Sequence, residues 1–224
     1  MNAVVIVSGG MDSVTLAYYL KDTHKEIDSW TYLSFDYGQR HSKEIMFANI
    51  CARELGADHN IIGLQPIAAL LAKSGSVLVD HSVPVPEGHY AELTMQATVV
   101  PNRNSIMLAI ATGVAVAQEA RFVAAGMHAG DHFIYPDCRP EFIESFNVAE
   151  KLANVGFWAG HIVAPFVDIT KTDIVAIGSE LKVPYENTWS CYKGGKLHCG
   201  KCGTCVERRE AFSLAGIKDP TTYE

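Results

Sequence analysis

The chain has 224 residues, with 18 Lys and Arg against 25 Asp and Glu, so its formal charge is −7. Apolar residues make up 48% and charged residues 19%, close to the globular average, which excludes disordered, collagenous and coiled-coil chains. The acidic balance also argues against stable nucleic-acid binding, since that rests on Lys and Arg neutralising phosphates.

In chain order, Ala3 to Val7 is a short β-branched run without polar alternation, as in a strand buried on both faces. A helix is expected from about Asp12 to Lys21, then a strand from Trp30 to Phe35. Apolar Ile45, Cys51, Ala52 and Leu55 lie on one face of an amphipathic helix that should stop at Gly56. A third strand covers Asn60 to Gly63, and an irregular stretch rich in Ser, Pro, Gly and His runs from about Lys73 to Gln96. Next come a helix from Asn104 to Glu119, a strand from Arg121 to Ala125, a loop from Gly126 to Arg139 and a helix from Pro140 to Asn154. The strand His161 to Val167 and the helix Thr170 to Leu181 complete the alternation.

This rhythm predicts an α/β fold: an open parallel sheet with helices on both faces. Ligands in such sheets bind beyond the carboxyl ends of the strands. The last forty residues or so break the rhythm and are rich in Gly and Cys. They suggest a catalytic part over 1–189 and a small metal-held appendage with a C-terminal helix over 190–224, or one integrated domain.

The longest apolar stretch, Ile106 to Ala117, falls short of the ~18 residues a membrane span needs. The first apolar run is too short for a secretion signal and lacks a preceding Lys or Arg. A reducing cytoplasm is therefore expected, where the six cysteines read as metal ligands or free thiols.

Ser8-Gly9-Gly10-Met11-Asp12-Ser13 lies between the first strand and the first helix. Its glycines allow a tight turn whose N–H groups meet a phosphate, and the helix N-terminus adds partial positive charge. Asp12 is out of place in an anion site unless it holds Mg²⁺ that also bridges the phosphates. Neither the Walker A nor the dinucleotide spacing is present. The loop resembles the SGGxDS pyrophosphate loop of the N-type ATP pyrophosphatases, which activate an oxygen by adenylation. A phosphate loop without its own lysine needs a cation from elsewhere, and Lys171 in Thr170-Lys171-Thr172-Asp173 is suitably placed.

Cys191 is followed by Cys199, Cys202 and Cys205, two C-x-x-C units that share Cys202. Four thiolates satisfy tetrahedral Zn²⁺ with no open position, the mark of a structural site. An iron–sulfur cluster is the rival occupant. His198 is surplus to a complete four-thiolate set, and Cys51 reads as core.

Further segments strengthen the likeness: Tyr37-Gly38-Gln39-Arg40-His41-Ser42 after the second strand, Pro101-Asn102-Arg103-Asn104 opening a helix, and Tyr135-Pro136-Asp137-Cys138-Arg139 closing a loop. Together with the first loop, Lys171 and the four cysteines, they resemble the 7-cyano-7-deazaguanine synthases, which make the nitrile precursor of queuosine. Two positions depart from that pattern: Met11, where the family often has Gln, and Asn102, where it usually has Gly. Asn adopts positive φ more readily than most residues, so Asn102 should preserve the turn.

The resemblance implies an adenine nucleotide alpha hydrolase-like, Rossmann-like fold and conversion of 7-carboxy-7-deazaguanine to the nitrile with ATP, Mg²⁺ and ammonia. It also implies ATP binding by Val7, Ser8, Gly9, Gly10, Met11, Asp12, Ser13, Val14, Thr15, Leu16 and Ala17, and catalytic roles for Asp12, Ser13 and Lys171. One structural Zn²⁺ on Cys191, Cys199, Cys202 and Cys205, and a homodimer, follow from the same likeness.

Hydroxide leaves poorly, so the acid must be adenylated before ammonia displaces AMP; loss of the amide oxygen needs a second adenylation. No room is seen for a glutaminase domain, so free ammonia is the expected nitrogen donor. The guanine-like edge calls for a carboxylate, with Asp131 and Asp137 as candidates. The substrate carboxylate calls for a guanidinium, with Arg40, Arg103 and Arg139 as candidates and Asn104 adjoining. Tyr135 or Phe133 would stack on the ring, His41 and His132 would move protons, and Cys138 would pack. The alternatives are another enzyme of the same superfamily, one that stops at the amide or modifies another base as a tRNA thiolase does, and a non-catalytic zinc knuckle that recruits nucleic acid.

Overall fold

The computed structural model describes residues 1–89 and 95–224; the irregular stretch read from the sequence includes 90–94, which lie outside them. Five parallel strands form one sheet: β1 (Asn2–Ile6), β2 (Ser29–Asp36), β3 (Asp58–Gly63), β4 (Phe122–Ala124) and β5 (His161–Val163). Their order is β3-β2-β1-β4-β5. The chain works outward from β1 in one direction and then restarts on its other side at β4. Between β1 and β4, crossovers leave in opposite directions and open a crevice at the strand ends.

Both faces of the sheet are covered, which explains why the strands lack polar alternation. Ala3, Val5, Trp30, Tyr32, Phe122 and Ala124 face one core with α1 (Met11–Thr23) and α2 (Glu44–Leu55). The intervening Val4, Leu33, Phe35 and Val123 face a second core with α4 (Arg103–Ala117) and α5 (Pro140–Ala153). A short helix, α3 (Gln65–Leu71), follows β3. The expected parallel sheet with helices on both faces is the observed one.

Element ends follow local chemistry. Gly56 takes φ +61° and its N–H closes α2 onto Ala52 and Arg53. Thr170 and Asp173 form a reciprocal capping box that starts α6 (Lys171–Glu180) and fixes where Lys171 emerges. Asn102 adopts φ +57° immediately before α4, making the left-handed turn expected of it. The last strand is shorter than its apolar run: β5 ends at Val163, and the chain turns back so that Phe166, 1% exposed, enters the first core.

The tail forms α7 (Gly203–Leu214), whose Ala211 and Phe212 also enter the first core. Arg208 ties it down. Its fully buried guanidinium donates to Thr188 Oγ1 at 2.7 Å, Tyr185 O at 3.0 Å, Ser190 Oγ at 3.2 Å and Asp219 Oδ1 at 3.3 Å. Among the described residues, no helix is long and apolar enough to cross a membrane.

Candidate active site

The loop between β1 and α1 lies at the crevice, on the wall of a cavity of about 250 Å³. Gly9 makes this loop feasible: at φ +93° an added Cβ would sit 2.0 Å from the Glu44 carbonyl, so α2 abuts the turn. The serines brace the loop internally. Ser8 Oγ accepts the Gly10 N–H at 3.1 Å, while Ser13 Oγ accepts the Ser8 N–H and donates to Gly10 O, both at 3.1 Å.

Charge gathers beyond the loop. Lys171 Nζ is 3.4 Å from Asp12 Oδ2 and 2.6 Å from Glu207 Oε2. Burial alone would lower the ammonium's pKa, but Asp12, Glu207 and Asp131 outweigh it and hold it above its ordinary value. His128 Nδ1 accepts the Gly130 N–H at 3.1 Å, which leaves Nε2 as the protonated nitrogen of the neutral ring. Nε2 faces Asp131 Oδ2 at 3.5 Å and Asp12 Oδ2 at 4.0 Å. Asp12 Oδ1 is buried without a hydrogen-bond partner. An orphaned hard oxygen, in a group where carboxylates outnumber the ammonium, fits a divalent cation such as Mg²⁺.

A second wall comes from α2 and α4. Arg103 Nη1 is 3.4 Å from the Tyr37 hydroxyl, and its guanidinium lies 5.8 Å from the Tyr37 ring centroid. Tyr135 lines the cavity, with its hydroxyl hydrogen-bonded to Thr98 Oγ1. Asn104 Nδ2 donates to Cys138 Sγ at 3.2 Å. Burial, with Asp131 and Asp137 nearby, pushes the Cys138 thiol up, so it is no ready nucleophile. Glu44, 9% exposed, has its carboxyl pushed up to about 8 by burial, against the pull of Gln39 and Arg103. His41 beside it is pushed down to about 3 by burial and by Arg103.

Val7, Ser8, Gly10, Met11, Asp12, Ser13, Arg103, Asn104, Asp131, Tyr135 and Lys171 therefore meet at one cavity. Other residues singled out from the sequence lie elsewhere. Val14, Thr15, Leu16 and Ala17 are buried in α1. Arg40 donates to Asp80 O at 3.0 Å and Val83 O at 2.8 Å. Asp137 accepts the Asn104 N–H at 3.2 Å and so caps α4. Arg139 is exposed and bonds His132 O at 2.9 Å, and Phe133 is exposed on the surface.

Sequence reasoning missed His128, Glu207 and Glu44. His128 had a signal, as a histidine just past a strand's carboxyl end. Glu207 had none, lying in a charged stretch of the tail.

The four cysteines are all buried, with their sulfurs within 4.8 Å of one another. Cys199–Cys205 and Cys191–Cys202 are each 4.0 Å apart. Backbone N–H groups of Cys199, Lys201 and Cys202 point at the sulfurs of Cys191 and Cys199, at 3.3 to 3.4 Å. Outer donors of this kind stabilise thiolates around a metal.

Two solved structures share the fold. NMN synthetase from Francisella tularensis aligns with 96% of this chain and 77% of its own, at 17% identity and a TM-score of 0.53. The U34-tRNA thiolase NcsA from Methanococcus maripaludis aligns with all of this chain and 74% of its own, at 15% identity and a TM-score of 0.53. These likenesses show the fold alone, a Rossmann-like α/β sheet. Within that class it belongs to the family described as queuosine biosynthesis protein QueC, whose model matches residues 2–216. Proteins named 7-cyano-7-deazaguanine synthase from Brucella ovis and Brucella suis are each 58% identical to it, across all of this chain and 94% of theirs.

Proposed function

We propose that the chain converts 7-carboxy-7-deazaguanine and ammonia to 7-cyano-7-deazaguanine at the expense of ATP, the activity named for its relatives. The observation that carries this reading is the Asp12–Lys171 pair beside a Ser-Gly-Gly loop, where β1 and β4 diverge. The loop N–H groups and the α1 N-terminus would hold the phosphates, and Lys171 would neutralise the charge that develops on them. Mg²⁺ on Asp12 would draw charge from the phosphates and favour departure of pyrophosphate.

The substrate carboxylate attacks the α-phosphorus and pyrophosphate leaves. Ammonia then adds at the acyl carbon and AMP departs, giving the amide. The amide oxygen is adenylated in turn; loss of AMP and protons leaves the nitrile. Arg103, beside Tyr37 on the cavity wall, would orient the acid, and Tyr135 would flank the ring.

One Zn²⁺ per chain on Cys191, Cys199, Cys202 and Cys205 is part of this reading. A tetrahedron with Zn–S of about 2.3 Å separates its sulfurs by about 3.8 Å. The 4.0 Å spacings suit one ion better than a cluster of several irons. A cytoplasmic homodimer fits as well. Val148, Leu152, Val155 and Phe157, each at least 60% exposed, lie along α5 and just beyond it, and a second copy would cover them. The division between 1–189 and 190–224 is retained as one of role, with α7 packed back on the catalytic part.

Incubation with ATP, ammonia and the carboxy-deazaguanine, followed by mass spectrometry, tests the reading. A nitrile supports it; an amide end-product, or no reaction, overturns it.

A further inference from the structure

Four carboxyl side chains line the cavity among the described residues: Asp12, Glu44, Asp131 and Glu207. Three are engaged together, since Asp12 and Glu207 hold Lys171 while Asp12 and Asp131 face His128. Glu44 shares none of these contacts. It enters from the first turn of α2, with Gln39 Nε2 3.3 Å and His41 Nε2 3.5 Å from its Oε1. Its Oε2 has no hydrogen bond among the described residues. His41, 4% exposed and also on the cavity wall, has a buried Nδ1 with no partner.

Two buried polar side chains thus offer unmet hydrogen-bonding capacity to one cavity, at a point not committed to Lys171. A buried polar atom such as His41 Nδ1 is rarely left without a partner, and the Glu44 carboxyl beside it lines the same cavity. The substrate of the proposed reaction supplies the match. A guanine-type ring presents an N–H and an exocyclic amine side by side; two such donors favour the ionised form, so the ring would draw the Glu44 carboxyl, raised by burial, back to a carboxylate that accepts from both. The acid that reacts sits on the five-membered ring, away from that edge, so a contact from Glu44 to the amine edge leaves the acid free for adenylation.

We propose that Glu44, with His41 adjoining, is the residue that reads the amine edge of the deazaguanine and sets specificity for it. This rests on the function proposed above, and it moves the role from Asp131, engaged with His128, and Asp137, which caps α4. A carboxylate that binds two donors rejects a ring lacking one of them, because its own lone pair is then stranded.

The test compares wild type, Glu44→Gln and Glu44→Asp on the natural acid and on the analogue without the 2-amino group, by turnover and by calorimetric binding. Wild type should prefer the amino ring by roughly tenfold to a hundredfold, the scale of a charge-assisted hydrogen bond. Glu44→Gln should lose most of that preference with its KM for ATP unchanged, while Glu44→Asp keeps part of it. A folded Glu44→Gln protein with undiminished preference overturns the proposal. So does a wild type indifferent to the 2-amine, which needs no variant to fold. Failure of the proposed reaction looks different: binding still discriminates on the 2-amine while no nitrile forms.

Discussion

Lys171 Nζ stands between two carboxylates, 2.6 Å from Glu207 and 3.4 Å from Asp12, so α6, α7 and the first turn of α1 meet at one ammonium. Each side chain comes from a different part of the chain, and the capping box at Thr170 fixes the lysine's exit. This arrangement ties the tail to the Ser-Gly-Gly loop, so on the proposed function these distant segments should act together.

Asp12→Ala should abolish ATP turnover and leave the fold intact. It removes a carboxylate with a buried, unpartnered oxygen but opens no core cavity. Lys171→Met should likewise reduce kcat by about a hundredfold to a thousandfold, the scale of losing one preorganised charge in an active site. Pyrophosphate release, measured beside melting curves, checks both; normal turnover in folded Asp12→Ala protein would falsify the metal-holding role.

Arg103→Ala should raise KM for the deazaguanine acid by roughly tenfold or more and leave KM for ATP near its original value. A guanidinium facing a carboxylate in a partly desolvated cavity carries that much binding energy. If ATP affinity alone drops, Arg103 serves the phosphates instead.

Much of this organisation is legible in the sequence because it is local. Ala3 to Val7 announces a strand buried on both faces, Gly56 ends its helix, and the four cysteines declare themselves by spacing. Asn102 is a subtler success: one residue's tolerance of positive φ foretells the turn before α4. What stays hidden is long-range. Nothing near Glu207 indicates that it reaches Lys171, 36 residues earlier. Arg40 and Arg139 look like substrate ligands by type, yet bond backbone carbonyls instead. Phe166 belongs to an apolar run that reads as strand but is a buried turn, because burial alone does not distinguish the two.

Asp219→Asn should lower stability, most clearly above pH 5. Burial works to raise the Asp219 carboxyl, but Arg208, Tyr223 and Thr221 outweigh it and hold it below its ordinary value. A carboxylate depressed by folding stabilises above its unfolded pKa of about 3.9, and the contribution fades as pH falls through the folded value. Wild type and variant should therefore differ by about 1–3 kcal/mol near neutrality and converge in acid, in keeping with a charge-assisted hydrogen bond to a buried guanidinium. A difference that persists unchanged to pH 2 in urea titrations counts against this pairing.

The last prediction concerns the metal. Cys191, Cys199, Cys202 and Cys205 sit in a small cluster with Val85 and Trp189, flanked only by the partly buried rings of Phe47, Tyr192 and Tyr223 among the described residues. Four buried thiols in so thin a core hold their shape only if something crosslinks them, and a structural zinc contributes folding free energy on the order of 10 kcal/mol in isolated zinc-finger peptides. Here Cys202 caps α7 and Cys205 sits in its first turn, and the same helix presents Glu207 to Lys171, so losing the metal should loosen the active site as well as the tail. Purified protein should contain one zinc per chain by elemental analysis. Cys202→Ser should lower metal content, melting temperature and solubility together, with turnover falling because Glu207 and Lys171 are no longer held in register. Chelation of the wild type should reproduce those losses, and re-addition of Zn²⁺ should reverse them. Iron in place of zinc, or a fully active protein with no metal, overturns the assignment.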